Sequence, residues 1–84
     1  MRLRKQALGT RNICGARVEQ ERKAKGMKQK ELLVELQNRG VDMNASALSK
    51  LEGQVRFCTD RELSALVDAL GVSADRLLGR GRPA

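Results

Sequence analysis

The sequence predicts an all-α domain built from five short helices. Every apolar run has the i, i+3, i+4 spacing of a helix, and none alternates as a half-buried strand does. Glycines and small polar residues separate these runs, as helix stops and N-caps do. The 84 residues suffice for one domain with a single modest core. We expect this compact domain to span residues 12–79, between an N-terminal arm and a disordered tail at 80–84.

The chain is predicted to begin with a flexible basic arm that leads into the first helix. Residues 1–11 carry four cations and show little periodicity, which is typical of a mobile arm. Thr10 or Asn12 is the expected N-cap of helix 1, because a short polar side chain there can accept a hydrogen bond from a first-turn amide. The helix is predicted over Ile13 to Lys25 and ends at Gly26.

Two helices joined by a turn are predicted in the middle of the chain. Helix 2 runs from about Gln29 to Asn38 and stops at Gly40. Helix 3 is capped by Asn44, covers residues 45–52 and ends at Gly53. The residues of both helices predicted to face the core are leucines at helical spacing: Leu32, Leu33, Leu36, Leu48 and Leu51.

The last two helices have the clearest start signals. Thr59 and Glu62 form a capping box, in which each side chain accepts a hydrogen bond from the backbone N–H of the other residue. Helix 4 ends at Gly71, and Ser73 caps a last short helix. The apolar stripe of these helices comprises Leu63, Leu66, Val67, Leu70, Leu77 and Leu78.

Positive charge is concentrated at the N-terminal end of the chain. The sequence has 17 Lys and Arg against 10 Asp and Glu, a net charge of +7. Residues 1–26 hold eight cations and two anions, whereas residues 27–84 hold nine and eight. Such an asymmetry favours a polyanionic partner that meets one side of the molecule. The alternative is that the basic N-terminus serves only as a solubilising tail.

Composition excludes several kinds of chemistry. The chain has no histidine, which excludes histidine-based acid–base or triad catalysis and Cys/His zinc sites. Its two cysteines, Cys14 and Cys58, lie far apart in the sequence and cannot form a metal cluster by themselves. We therefore expect no enzyme activity, no metal and no cofactor.

The same composition bears on the compartment. So few thiols favour a reduced, cytoplasmic setting, with a disulfide between residues 14 and 58 as the less favoured alternative. No apolar run approaches the ~20 residues that span a membrane, and the N-terminus lacks the apolar region of a signal peptide. We expect a soluble intracellular protein without a membrane partner.

Three motifs follow one another in the order of a known family. They are R-x-x-x-G-M-x-Q-x-E-L over Arg22–Leu32, A-L-S-K-L-E over Ala47–Glu52, and E-L-x-x-L-x-x-A-L-G-V-S-x-D-x-L-L over Glu62–Leu78. Together they resemble the DNA-binding domain of the Cro/CI phage-repressor (XRE) family of small bacterial regulators. The resemblance covers all but the N-terminal arm and the last residues. It implies a lambda-repressor-like fold with a helix-turn-helix in helices 2–3.

The resemblance implies that helix 3, about residues 45–52, is the recognition helix. A helix-turn-helix lays its second helix in the major groove, where the residues near its N-terminus meet base edges. The residues that point away from the leucine face, and are therefore candidates for base contact, are Ala45, Ser46, Ser49 and Lys50. The alternative is that these residues are simply tolerated on the surface of a capped helix.

Other residues are candidates for contact with the DNA backbone. Lys28 and Gln29 open helix 2, where free first-turn amides can bind a phosphate, and Asn44 opens helix 3. Arg56 falls where the family often has a basic residue that faces the backbone. The arm residues expected to follow the duplex or enter a minor groove are Arg2, Arg4, Lys5 and Arg11. The alternatives are a plain surface role for Gln29 and a dangling arm.

Arg22 and Glu52 match a pair that often bridges helix 1 to the end of the recognition helix in family members. Paired and partly buried, they would fix the angle of the recognition helix rather than touch DNA.

The sequence also departs from the family in three places. The stretch from Gln29 to Glu52 is longer, which predicts an extended helix 2, a longer turn, or both. Leu33 stands where the family prefers a small residue. The glycine after the recognition helix comes one position early, at Gly53, with Gln54 where glycine is usual.

The function implied is sequence-specific binding of double-stranded DNA by a transcriptional regulator, typically a repressor. The expected partner is an inverted-repeat operator bound by a homodimer, and the expected location is the cytoplasm, in association with the nucleoid. One alternative is an antitoxin or accessory protein that binds a partner protein through the mildly acidic surface of helices 4 and 5. The other is a basic protein that binds nucleic acid without sequence preference, against which stand the few cations on helix 3.

Overall fold

All regular secondary structure in the computed structural model, which describes residues 9–80, is helical. The helices are α1 (Gly15–Ala24), α2 (Gln29–Asn38), α3 (Ala45–Glu52), α4 (Asp60–Leu70) and α5 (Ala74–Leu78). They form a compact body of 32 × 31 × 24 Å with a radius of gyration of 12.0 Å. The prediction of a compact all-α fold with five helices is thereby confirmed. Within residues 9–80, no helix has both the length and the apolar character needed to cross a membrane.

Helix α1 begins two residues later than predicted. Cys14, rather than Thr10 or Asn12, is its N-cap, and the Cys14 side chain makes no capping hydrogen bond. The side chain of Asn12 supplies one from further back, because its Oδ1 accepts the N–H of Gly15 at 2.7 Å. Of the two predicted polar residues, Asn12 therefore satisfies a first-turn amide. Ile13, predicted as the first helical residue, lies outside the helix and is exposed.

Helices α2 and α3 have the predicted bounds and are joined by residues 39–44. Gly40 adopts a positive φ of 83° after α2, and the N–H of Val41 donates to the carbonyl of Leu36 at 2.9 Å. This bond reaches back over the left-handed residue to one of the last carbonyls of the helix. Met43 is buried. The added length of this region therefore includes a turn that contributes to the core.

One apolar core lies between the helices. Its buried members are Cys14, Val18, Leu32, Leu36, Met43, Leu48, Leu51, Ala65, Leu66, Leu70 and Leu77. Leu33, predicted to face inward, is only half-buried at the edge of this cluster. Full burial of a leucine stabilises a fold by about 1.5–3 kcal/mol. Leu48 and Leu51 have no exposed surface, so their burial stabilises the packing of the short helix α3 against its main neighbours, α1 and α2.

Helices α4 and α5 start at the predicted caps. Thr59 Oγ1 accepts the N–H of Glu62 at 3.1 Å, and Glu62 Oε1 accepts the N–H of Thr59 at 3.0 Å. The N–H of Arg76 donates to Ser73 Oγ at 3.1 Å. Gly71 is left-handed and ends α4. These local signals explain why the bounds of α4 follow the sequence closely.

Candidate nucleic-acid interface

The outer face of α3 consists of small side chains and one lysine. Its exposed members are the four residues selected from the sequence for base contact, Ala45, Ser46, Ser49 and Lys50. Leu48 and Leu51, on the opposite face, have no exposed surface. The structure therefore brings the four candidates onto one surface of a helix that the core holds from behind. Their hydroxyl and ammonium groups can reach a partner without uncovering apolar side chains.

The N-terminus of α3 is capped and lies beside a shallow groove. Asn44 Oδ1 accepts the N–H of Ala47 at 2.7 Å, a bond that does not use the NH2 group of the Asn44 amide. The groove has a volume of about 440 Å³ and is lined by Asn44, Ser46, Ala47, Lys50, Val55, Arg56 and Phe57. The outer face of α3 is thus continuous with the loop that follows the helix.

A buried ion pair fixes the other end of α3. Arg22 Nε donates to Glu52 Oε2 at 2.8 Å and Arg22 Nη2 donates to Glu52 Oε1 at 3.1 Å. The two side chains are only 8% and 3% exposed. Arg22 Nη1 also donates to the carbonyl of Met27 at 2.9 Å. The pair expected from the resemblance is formed, and it joins α1 and the α1–α2 turn to the end of α3.

The hydrogen bonds to Glu52 favour the charged form of Arg22. They raise the pKa of Arg22 and outweigh the opposing effect of its burial. A paired and hydrogen-bonded guanidinium in this position carries its charge at any pH at which the domain is folded.

Gln29 extends the ion pair to the exposed face of α3. Its Nε2 donates to Glu52 Oε1 at 3.0 Å, and its Oε1 accepts from Ser49 Oγ at 3.3 Å. Gln29 is half-buried. Its amide is therefore engaged with α3, and the contact of Gln29 with phosphate stays a prediction. A chain of hydrogen bonds runs from Arg22 through Glu52 and Gln29 to Ser49, so the core sets the position of a candidate base-reading side chain.

Lys28 stands exposed at the N-cap of α2. Its N–H donates to Glu31 Oε1 at 2.7 Å. A lysine ammonium has no acceptor for an amide N–H, so only the Glu31 half of a capping box is present. The ammonium group of Lys28 remains on the surface next to the positive end of the helix dipole.

The loop after α3 places Arg56 in an ion pair with Glu62, and the contact of Arg56 with phosphate stays a prediction. Its Nη1 and Nη2 donate to Oε1 and Oε2 of Glu62, both at 2.9 Å. These bonds raise the pKa of Arg56 and lower the pKa of Glu62. The charge of Arg56 is therefore largely compensated within the protein.

Part of the predicted arm is attached to this same loop. The N–H of Gly9 donates to the carbonyl of Gly53 at 3.0 Å, and the N–H of Arg11 donates to the carbonyl of Gln54 at 2.9 Å. The Arg11 guanidinium lies 5.1 Å from the centroid of the Phe57 ring, a cation–π contact. The other three arm candidates, Arg2, Arg4 and Lys5, lie outside the described residues.

Two residues that had no role assigned in this region hold the loop in place. Asn12 Nδ2 donates to the carbonyls of Leu51 at 3.0 Å and Arg56 at 2.7 Å. Gln54 Nε2 donates to the carbonyl of Asn12 at 2.6 Å, and Gln54 is the one non-glycine residue within 9–80 that has a positive φ, 62°. The sequence drew attention to Gln54, because this residue stands where the resembling family usually has a glycine. No local pattern marked Asn12 for this role, because its partners are distant in sequence.

The close approach of α1 to α3 depends on a glycine. A Cβ built on Gly15 would overlap the carbonyl oxygen of Leu51. The start of α1 can therefore lie directly against the end of α3 only because residue 15 has no side chain.

The part of the chain that the structure describes offers no group of three or more His, Cys, Asp or Glu residues that could hold a metal ion. No protein-family model, curated protein or solved structure gives a significant match to this chain. The functional assignment therefore depends on the geometry of α2, α3 and the loop after α3.

Proposed function

We propose that this protein binds double-stranded DNA sequence-specifically and acts as a transcriptional regulator, as a repressor and without catalysis of its own. In this proposal α2 and α3 form a helix-turn-helix in a lambda-repressor-like arrangement, with α3 in the major groove. The observation that carries it is the outer face of α3, four exposed small or basic residues on a helix whose other face and C-terminal end are fixed by the core and by the Arg22–Glu52 pair.

The chemistry of this face suits base edges. The major groove displays donors, acceptors and the thymine methyl in a pattern that distinguishes all four base pairs. The hydroxyls of Ser46 and Ser49 can donate or accept, Lys50 can donate to guanine, and Ala45 can contact a thymine methyl. Ser49 is already oriented by Gln29, which reduces the freedom that it loses on binding.

Contacts with phosphates would supply most of the affinity. We assign these to Lys28, at the start of α2, and to the NH2 group of Asn44, at the start of α3, because both are exposed and both helix ends favour anions. Gln29 becomes a positioning residue for Ser49 in this scheme. We give Arg56 a smaller part, since its ion pair with Glu62 offsets its charge.

Two copies of the domain on inverted half-sites would place two α3 helices in successive major grooves. Repression then follows from occupation of a promoter. Homodimerisation and an inverted-repeat operator are parts of the proposal, as is its site of action at the nucleoid.

Selection from a random duplex library at about physiological salt tests the proposal. We expect an enriched inverted repeat whose half-site spacing reports the separation of the two α3 helices. A pool that contains no motif, and is retained only at low salt, would contradict sequence-specific binding. It would favour a basic protein without sequence preference or a module that needs a protein partner, such as an antitoxin.

Variants separate the two kinds of contact. The double variant Ser46→Ala, Ser49→Ala is expected to relax sequence preference and to leave non-specific binding nearly unchanged. Lys28→Ala should weaken binding to all sequences and reduce the slope of log K against log salt by about one. Arg76→Gln on α5 removes the same charge on a helix that mainly contacts α1 and α4, and it should leave the slope unchanged. An equal loss on all sequences for the serine variant would contradict base reading by this face.

A further inference from the structure

Two exposed apolar side chains line the groove beside the outer face of α3. Val55 is 51% exposed and Phe57 is 65% exposed, and both belong to the loop after α3. Single exposed apolar residues are common on protein surfaces. These two, however, line the same groove as Asn44, Ser46 and Lys50, which are candidates for contact with DNA. Val55 and Phe57 therefore form an apolar wall that a ligand in this groove would cover.

The apolar wall is held in a fixed position. A side chain on Gly9 would overlap the carbonyl oxygen of Gln54 and Cγ1 of Val55, so the segment before α1 packs directly on Val55. The Asn12 side chain donates to the carbonyl of Arg56, between the two wall residues, at 2.7 Å. A ligand would therefore meet a surface that is already ordered, which lowers the entropy cost of binding.

The charge of the groove decides between two occupants. The described residues that line it include two cations, Lys50 and Arg56, and no carboxylate, and the Arg11 guanidinium lies against the Phe57 ring. A two-fold contact between two copies of this chain would place like surfaces together. It would thereby bring cations toward cations, which is unfavourable. The charge therefore favours an anion and disfavours a second copy.

The polar and apolar parts of the groove match the two parts of a nucleotide unit. A DNA strand presents an anionic phosphate attached to a sugar whose carbon atoms form an apolar surface. The NH2 group of Asn44, which the cap of α3 does not use, and the ammonium group of Lys50 can donate to an anion. The groove volume of about 440 Å³ lies within the roughly 300–1,000 Å³ of small-molecule sites.

From these observations we propose that the groove binds the sugar–phosphate backbone of one DNA strand, with a deoxyribose packed on the Val55 and Phe57 side chains. This inference rests on the proposed function, because it requires α3 in the major groove beside that strand. It adds contacts with a sugar to the proposed contacts with bases and phosphates. It does not require sequence specificity, since every nucleotide carries the same sugar.

The apolar contact contributes affinity of a different kind from that of the lysines. Burial of the Phe57 ring removes apolar surface from water and releases no counterion, so its contribution is nearly independent of salt. A lysine that neutralises a phosphate contributes affinity that decreases as salt increases. The two kinds of contact can therefore be separated by titrations at several salt concentrations.

The first test is the affinity of the full-length Phe57→Ala variant for DNA. The anisotropy of a short fluorescein-labelled duplex of random sequence, at low salt, measures binding whether or not an operator is known. We expect binding to weaken by about five- to tenfold, with an unchanged slope of log K against log salt. Val34→Ala is the matched control, because Val34 is 55% exposed on α2 and does not line the groove. Its affinity should equal that of the wild type.

The second test reports occupation of the groove directly. The chain has no tryptophan, so Phe57→Trp places a single fluorophore in the apolar wall. We expect unlabelled duplex to protect this tryptophan from quenching by acrylamide. Val34→Trp, the control, should be protected much less. Circular dichroism of each variant establishes that it is folded, which the exposure of both positions leads us to expect.

Each other outcome overturns the inference in a recognisable way. Wild-type affinity in Phe57→Ala, with a tryptophan at position 57 that stays accessible on bound DNA, would overturn the sugar contact and leave DNA binding intact. Protection that appears at higher protein concentration without DNA would assign the groove to a second copy. If a duplex with uracil in place of thymine binds as weakly as Phe57→Ala binds DNA, the wall contacts the thymine methyl and not the sugar. Absence of any binding to the labelled duplex would overturn the proposed function as well.

Discussion

The two ends of α3 differ in the exposure of their side chains and in the hydrogen bonds that those side chains make. At its start, Ala45 and Ser46 are exposed, and the described structure gives their side chains no hydrogen bond. At its end, Leu51 and Glu52 are buried, and Glu52 accepts hydrogen bonds from Arg22 and Gln29. One helix of eight residues therefore combines a free end and a locked end.

This difference shows how a small domain can present variable chemistry at a constant angle. The side chains of Ala45 and Ser46 are exposed, so we expect them to change at little cost in stability. The locked end fixes the direction of the helix axis, because α1, α2 and the segment before α1 all donate hydrogen bonds to it. Mutations at the two ends are accordingly expected to affect different measurements.

The largest effect is expected from Glu52→Gln at the locked end. Loss of the carboxylate leaves the buried Arg22 charge without its partner, which costs about 3–5 kcal/mol of unfolding free energy. Urea denaturation measures this change. The matched control is Glu35→Gln, which breaks the exposed i, i+4 pair with Arg39 and should cost less than about 0.5 kcal/mol. Equal losses in the two variants would mean that the end of α3 is not locked by charge.

Asn12→Ala is expected to be the next most destabilising. It removes the acceptor for the Gly15 N–H and the donor to the carbonyls of Leu51 and Arg56, at a cost of about 1–3 kcal/mol. Hydrogen exchange should show faster opening at the start of α1 than in the wild type. Asn38→Ala, at the exposed end of α2, is the control and should stay within about 0.5 kcal/mol of the wild type.

Gln54 separates backbone strain from hydrogen bonding. Gln54→Ala keeps the left-handed backbone and loses the bond to the Asn12 carbonyl, so it should cost about 0.5–1.5 kcal/mol. Gln54→Gly loses the same bond but relieves the left-handed strain, and should be about 1 kcal/mol more stable than the alanine variant. Identical unfolding curves for the two variants would show that residue 54 is not strained. Gly53→Ala is the control for a substitution without backbone strain, because Gly53 has an ordinary φ of −81°.

Stability at low pH reports on the ion pair that anchors the loop after α3. Arg56 lowers the pKa of Glu62 in the folded state, so this pair stabilises the fold above the unfolded pKa of the carboxyl. The contribution is lost as the pH falls below its ordinary value of 4.5 and through the lower folded value. The wild type should therefore lose more stability between about pH 5 and pH 3 than Glu62→Gln does. Parallel pH profiles would contradict the pairing.

The smallest effect on stability is expected on the exposed outer face of α3. Ser46→Ala with Ser49→Ala removes one exposed hydrogen bond, between Ser49 and Gln29, and improves helix propensity. The unfolding free energy should stay within about 0.5 kcal/mol of the wild-type value. A loss as large as that of Asn12→Ala would show that this face is structural, and it would weaken its assignment to base contact.

The helix bounds could be predicted from the sequence wherever a local capping signal marks the end of the helix. The capping box of Thr59 and Glu62, the Asn44 cap and the glycines after α2 and α4 identify helix ends through contacts within a few residues. The spacing of the leucines likewise identified most of the core. Both follow from periodicity and capping, which depend only on neighbours in the chain.

The candidate site could be predicted from the sequence only in part. The exposed face of α3 follows from its helical register, so Ala45, Ser46, Ser49 and Lys50 could be placed in advance. The engagement of Gln29 with Glu52 and Ser49, and of Arg56 with Glu62, could not, because long polar side chains choose partners by proximity in three dimensions. The sequence positions of Gln29 and Arg56 indicated contact with phosphate and did not reveal these contacts within the protein.

The order of residues along each helix was sufficient to predict most helix bounds, most of the core stripe and the exposed residues of α3. Only the packing of distant segments decided how Asn12 joins the start of α1 to the end of α3 and to the loop that follows it. The contacts of Asn12 with Leu51 and Arg56 connect residues more than thirty positions apart. Their formation depends on how closely whole helices pack, as at Gly15, and no local pattern encodes that distance.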